Sequence, residues 1–452
     1  MFDMEMVMRC AFTLIFAVLL MVAAAHAEVS TVQSGTLLPI HPQSYQSSET
    51  CSNCHTRLYE QFKHSMHARA FENPVFQYQF YEVFLPQMAN DNDSVFAAAA
   101  CLACHSPTTL LSQDLRLPAP DAVDKSLPGV TCDFCHTLTG YTGPSPGNAN
   151  YRPSPGPIKY GPLKFSSDWH RAYSQFQRQS EICAVCHEAK NRFGVPIHTT
   201  YSEWRASAWP NRGIVCQDCH MSASGRLVSG KPVFDSGVLA ANTLITPKER
   251  EKIYSHNFPG ARVDNQLHGV VKLQVYSFPR QLKPGQPMFI GIELDNTEAG
   301  HSLPTGAIEL RLAWLDVRLR MQDKEWQLKA EPTAKMNWDV AGASPADKAL
   351  NGTDISPGSR LYRAILVDRE GQPTLNKWEA VDKVFDNRLQ AGEGRRELYR
   401  FTLPADVSGS VEVDAVLRYL RYPPGVAIRL GSGTVDSVLV AKANKIIQIS
   451  DN

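Results

Sequence analysis

Five strings of the form Cys-x-x-Cys-His occupy the first half of this 452-residue chain. They are Cys51-Ser-Asn-Cys54-His55, Cys101-Leu-Ala-Cys104-His105, Cys132-Asp-Phe-Cys135-His136, Cys183-Ala-Val-Cys186-His187 and Cys216-Gln-Asp-Cys219-His220. Two thiols at this spacing reach the two vinyl groups of one porphyrin and form thioethers, the attachment chemistry of c-type haem. The adjacent imidazole then meets the iron from the proximal side. Structural zinc would account for paired thiols but not for a histidine after every pair. Of the 11 cysteines, ten belong to these strings and the other is Cys10, so no thiol remains for a disulfide framework.

A haem iron has a second axial position. Two protein ligands make an electron carrier, whereas an open position makes a catalyst or sensor. Eight histidines lie outside the strings and beyond the leader: His41, His64, His67, His170, His198, His256, His268 and His301. His67, His170, His256 and His301 are the first candidates for distal ligands. His64, His198 and His268 follow, and His41 comes last. His256 sits in the rigid turn Ser255-His-Asn-Phe-Pro-Gly260, which can aim an imidazole. His301 sits in Gly300-His-Ser-Leu-Pro-Thr-Gly306 at the end of an expected strand, so iron binding there would dock the second half of the chain onto the first.

These residues need elements to hold them. Tyr59, Phe62 and Met66 have helical spacing and predict a helix from His55 to Phe71, with His64 and His67 on one face. Trp169 to Phe176 is a second candidate helix. The Pro/Gly-rich stretch from Thr139 to Pro162 predicts an ordered loop or a tether. The motif half also carries a diverged repeat. Ser48-Glu-Thr-Cys51 matches Ser180-Glu-Ile-Cys183, Tyr59-Glu-Gln-Phe62-Lys-His-Ser65 matches Tyr201-Ser-Glu-Trp204-Arg-Ala-Ser207, and Gly129-Val-Thr-Cys132 matches Gly213-Ile-Val-Cys216. The unit is a two-haem module present twice, with the site at Cys101 added to the first copy. Trp209 stands where the first copy has His67, so the second copy is the expected place for an open iron.

After residue 265 the character changes. Val271–Val275, Phe289–Leu294, Leu310–Leu319 and Val411–Leu420 alternate apolar and polar residues, the period of half-buried strands. The expected architecture is multidomain: a signal peptide over 1–27, a mostly α/irregular pentahaem domain over 28–265, and an all-β immunoglobulin-like sandwich over 266–452. The signal reading rests on the apolar run Ala11–Ala25 and the small-x-small site Ala25-His-Ala27. It implies export, which c-type attachment requires, to the periplasm or outer surface. Lys+Arg and Asp+Glu are both 45, which speaks against nucleic acid as a partner. No second apolar run has spanning length.

The string at Cys51 with Tyr59, Phe62, Ser65 and His67 downstream resembles the cytochrome c-554 family of multihaem cytochromes. So do Ser180-Glu-Ile-Cys-Ala-Val-Cys-His187 and Cys216-Gln-Asp-Cys-His-Met221. The resemblance spans roughly residues 48–260. It implies an exported electron-transfer protein with closely stacked haems, mostly with two histidines per iron. Two departures are the fifth site, since the family type has four, and the appended β half. The leading expectation is a carrier of five covalent haems with their iron, exchanging electrons with redox proteins or quinol-linked donors and acceptors. A multihaem reductase or oxidase of a small nitrogen or sulfur compound is the alternative, and a self-assembling homo-oligomeric cytochrome the third.

Overall fold

Each attachment string lies on or beside a short helix, because cysteines three apart and a histidine one residue later share one helical face. In the computed structural model, which describes residues 44–450 apart from 90–93, 113–126, 165–171, 245, 261–263, 280, 345–346, 348–349, 351–352 and 433–434, these are Ser48–Ser52, Ser94–His105, Cys132–His136, Glu181–His187 and Cys216–His220. The expected signal peptide, His41 and His170 lie outside the described residues. Regular structure between the helices is sparse. The Pro/Gly-rich stretch is ordered: Leu138–Tyr141 pairs antiparallel with Tyr151–Pro153.

Two helix expectations need correction. The helix after His55 runs only over Thr56–Phe62. Beyond it the Met66 amide donates to the Phe258 carbonyl, and the Ser65 hydroxyl accepts from the Ala68 amide, so those groups leave the helical ladder. His64 and His67 therefore do not share a face: His64 is exposed and His67 turns inward. Where Trp169–Phe176 was expected to be helical, Ala172–Tyr173 is a short strand beside Tyr160–Gly161, and a 3-10 turn covers Phe176–Arg178.

The C-terminal half is β: β1 Lys272–Phe278, β2 Pro287–Asp295, β3 Leu312–Met321, β4 Lys324–Leu328, β5 Arg360–Val367, β6 Pro373–Thr374, β7 Asp382–Asp386, β8 Gly394–Thr402, β9 Ser410–Leu420 and β10 Val438–Gln448. One sheet has the order β8-β2-β1. The other has β6-β5-β3-β9-β10, with β4 also on β3 and β7 also on β5. All these pairings are antiparallel. Alternate residues of β2 (Met288, Ile290, Ile292, Leu294) and β9 (Val411, Val413, Ala415, Leu417) point into one shared core between the sheets. That core is what the period-two pattern encodes. The four expected strands are all present. Residues 42–452 form one compact unit, so the helical half and the β half pack together. Among the described residues no helix is long and apolar enough to cross a membrane.

Candidate metal centres

The ten motif cysteines and five motif histidines all line one continuous cavity of about 2950 Å³. A pocket for a single small ligand is on the order of 300–1,000 Å³, so this space suits several large groups side by side. The cysteines form no disulfide. Among the described residues, no cluster of three or more His, Cys, Asp or Glu side chains could grip a metal ion directly.

Three motif imidazoles each face a second imidazole. The ring centres of His67 and His187 are 6.2 Å apart, those of His136 and His256 6.4 Å, and those of His220 and His301 6.1 Å. Metal–imidazole bonds of about 2.0 Å on either side, with roughly 1.1 Å from nitrogen to ring centre, put two trans rings about 6 Å apart. The observed spacings fit one iron between each pair.

The tautomers agree with this use. The Nδ1 of His55 lies 3.0 Å from the Leu239 carbonyl, that of His105 2.9 Å from Ala70, and that of His136 2.7 Å from Tyr160. Among the distal candidates, His198 Nδ1 lies 3.1 Å from the Gly306 carbonyl, His256 3.0 Å from Tyr254 and His301 3.0 Å from Ser302. A carbonyl only accepts, so each Nδ1 carries the proton and each Nε2 keeps its lone pair, which at His198 faces Lys377 Nζ and at the others suits a metal. Burial also holds the rings neutral. It pushes His67 down to about 3, helped by His187, His220 and His256, and takes His105, His220 and His256 to about 4. His136, His187 and His198 are lowered chiefly by the same cause.

The repeat is visible in single hydrogen bonds. The Ser48 hydroxyl accepts from the Cys132 amide at 3.2 Å, and Ser180 does the same for Cys216 at 3.1 Å. The Tyr59 hydroxyl donates to Glu49 at 3.2 Å, and Tyr201 donates to Glu181 at 2.9 Å. Neighbouring sites meet through their thiols: Cys51 beside Cys132, Cys183 beside Cys216, and Cys104 beside Cys186. His67 belongs to the first copy yet faces His187 of the second. The second copy, expected to be short of a ligand because of Trp209, has a facing imidazole at both of its sites.

His301 reaches His220 from the β half, and a buried network holds its loop. Glu203 of the helical half accepts from the Ser302 amide and the Thr305 hydroxyl, and pairs with Arg388 at 2.8 Å. Arg388 also grips Asp386 and the Pro304 carbonyl. Sequence reasoning did not single out Glu203 or Arg388, because they lie far apart in the chain and form no local motif. Of the remaining candidates, His64 and His268 are exposed and the structure brings neither against a motif imidazole, while His198 is part-buried with its Nε2 3.2 Å from Lys377 Nζ.

Residues 50–137 match the family described as cytochrome c554 and c-prime. Among solved structures, a penta-heme cytochrome c552 from Thermochromatium tepidum is similar in fold at 22% identity, covering 90% of this chain and 100% of that one with a TM-score of 0.60. The sporulation control protein Spo0M from Bacillus subtilis overlaps 41% of this chain and 51% of its own at 12% identity; its TM-score of 0.14 carries no argument. No curated protein matches the chain.

Proposed function

We propose, on the premise that this chain is a multihaem c-type cytochrome resembling the cytochrome c554 family, that it is an exported pentahaem carrier passing electrons between redox partners. The observation that supports this most is the set of three imidazole pairs, 6.1 to 6.4 Å apart, around one cavity. Haem c supplies reversible one-electron transfer when bound. The chain's own residues do the rest. Cys51/Cys54, Cys101/Cys104, Cys132/Cys135, Cys183/Cys186 and Cys216/Cys219 tether the groups. His55, His105, His136, His187 and His220 hold the proximal faces.

His67, His256 and His301 close the distal faces opposite His187, His136 and His220, and His170 remains our candidate for another iron. An iron with imidazole on both sides has no room for substrate, so it relays electrons rather than catalysing. The thiol contacts support neighbouring pairs for the relay, first with third site, fourth with fifth and second with fourth, and His67 reaches from the first module to the fourth site. We read the β half, from about residue 266, as an immunoglobulin-type sandwich whose loops complete the haem domain.

Reductive titration tests the reading. It expects five electrons per chain and reoxidation by a redox partner without consumption of nitrite or sulfite. Fewer electrons, or steady turnover of such a compound by the reduced protein, contradicts it.

A further inference from the structure

The second site differs from the third, fourth and fifth, where an imidazole faces the motif histidine. Among the described residues no histidine ring faces that of His105. Phe76 stacks flat against one face of its ring, 3.9 Å between centres and 11° between planes. What approaches this site from the β half is Lys377. It lines the same cavity as Cys101, Cys104 and His105, and its charge acts on all three.

Its loop is firmly placed. Asn191 donates to the carbonyls of Lys377 and Ala380 at 2.8 and 2.7 Å. Trp378 donates to Gln87 at 3.0 Å and sits edge-on to Phe84, 5.4 Å between centres. Gln79 reaches the Leu375 carbonyl at 3.4 Å. The Gln87, Phe84 and Gln79 contacts fix the loop against the helical stretch Pro74–Met88, the same stretch that presents Phe76 to His105.

We propose that Lys377 is the distal axial ligand of the iron held by His105. The inference rests on the haem reading above and adds a residue that no cysteine or histidine motif reveals. A metal-bound lysine gives its lone pair to the metal and keeps two N–H donors; one acceptor stands within hydrogen-bond distance of Nζ, and a carboxylate lies just beyond it. His198 Nε2 is 3.2 Å away, with its Nδ1 already committed to the Gly306 carbonyl. Glu309 Oε1 is 3.9 Å away, on a side chain with no exposed surface and no hydrogen bond to either oxygen. On coordination the ammonium gives up one proton, which the Glu309 carboxylate can take, and no electron changes hands. His198 is thereby the group that orients the amine, since its own lone pair points at Lys377. The β half then completes two haem sites, the fifth through His301 and the second through Lys377.

The test uses oxidised and reduced holoprotein of wild type, Lys377→Ala, Lys377→Met and His198→Ala. Spin states are counted by electron paramagnetic resonance, ligand type is read by near-infrared magnetic circular dichroism, and open irons are counted with carbon monoxide. The expected wild type shows one iron with an amine–imidazole band. Lys377→Ala gains one high-spin iron and one carbon monoxide site per chain. Lys377→Met, which keeps the side chain's bulk, gains a thioether–iron band in the red. His198→Ala stays low-spin at that iron. An unchanged spin count in both Lys377 variants overturns the proposal and leaves the lysine as a counter-charge. A high-spin iron in His198→Ala but not in Lys377→Ala overturns it in favour of His198. Failure of the histidine-paired reading looks different: several high-spin irons appear in wild type with Lys377 intact.

Discussion

His301 is the residue on which the account turns. Its ring plane lies within 12° of that of His220, and its Nδ1 is taken by the Ser302 carbonyl. Replacing it with alanine should convert one iron of the oxidised protein from low to high spin and open it to carbon monoxide, with haem content unchanged. A spin count equal to wild type would sink the assignment. His67 has a different dependence. The loop that carries it is pinned by the Val130 amide, which donates to the His67 carbonyl at 2.9 Å. A Cβ on Gly129 would collide with the carbonyls of His67 and Ala68. Gly129→Ala should therefore destabilise the protein by about 1–3 kcal/mol, as overpacking does, and disturb the iron at His187. Thermal melting followed in the Soret band reads the first effect and spin state the second.

At the scale of elements, four of the ten described strands of the β half were legible, β1, β2, β3 and β9, and the helix ends were not. β2 and β9 alternate because one face meets the core. β5 was missed because Arg360–Val367 is buried on both faces and carries no alternation. It also carries two arginines, which a buried strand accommodates only with partners. Arg360 pairs with Asp339 and Glu397, and Arg363 with Asp347, so both charges are buried in company. The helix after His55 stops early for a similar reason: the Phe258 carbonyl, nearly two hundred residues away, takes the Met66 amide, and no local window contains that partner. The five strings were legible as a set, since each is a local pattern, and the structure gathers them around one cavity. The distal residues were legible only as a list of histidines, because pairing depends on long-range folding.

The clamp between the halves can be broken at one point. Arg388 and Glu203 are both largely buried, and removing one partner leaves the other charge uncompensated. Arg388→Ala should cost about 3–5 kcal/mol and loosen the His301 loop, seen as a lower melting temperature and a weakened low-spin signal from the fifth iron. Burial pushes Asp386 up, but hydrogen bonds and charge from Arg388 and Lys383 outweigh it and hold the carboxyl below its ordinary value. Its contribution is therefore complete above about pH 4 and is lost as pH falls through the depressed folded value. Acid titration should show the clamp weakening below about pH 4, and Asp386→Asn should remove that component. An identical acid profile in the variant would refute it.

For the whole molecule, the sites form a connected set along one continuous cavity, with a two-fold repeat of a small module setting them side by side. The β half is an integral part of that set, since its His301 loop reaches the fifth site. This connectivity is what suits the chain to relay electrons over a distance. Iron anomalous diffraction from crystals of the holoprotein tests the central claim most directly. The account predicts five iron peaks, three of them midway between His67 and His187, His136 and His256, and His220 and His301. Iron displaced from those midpoints, or imidazole pairs with no iron between them, would contradict it.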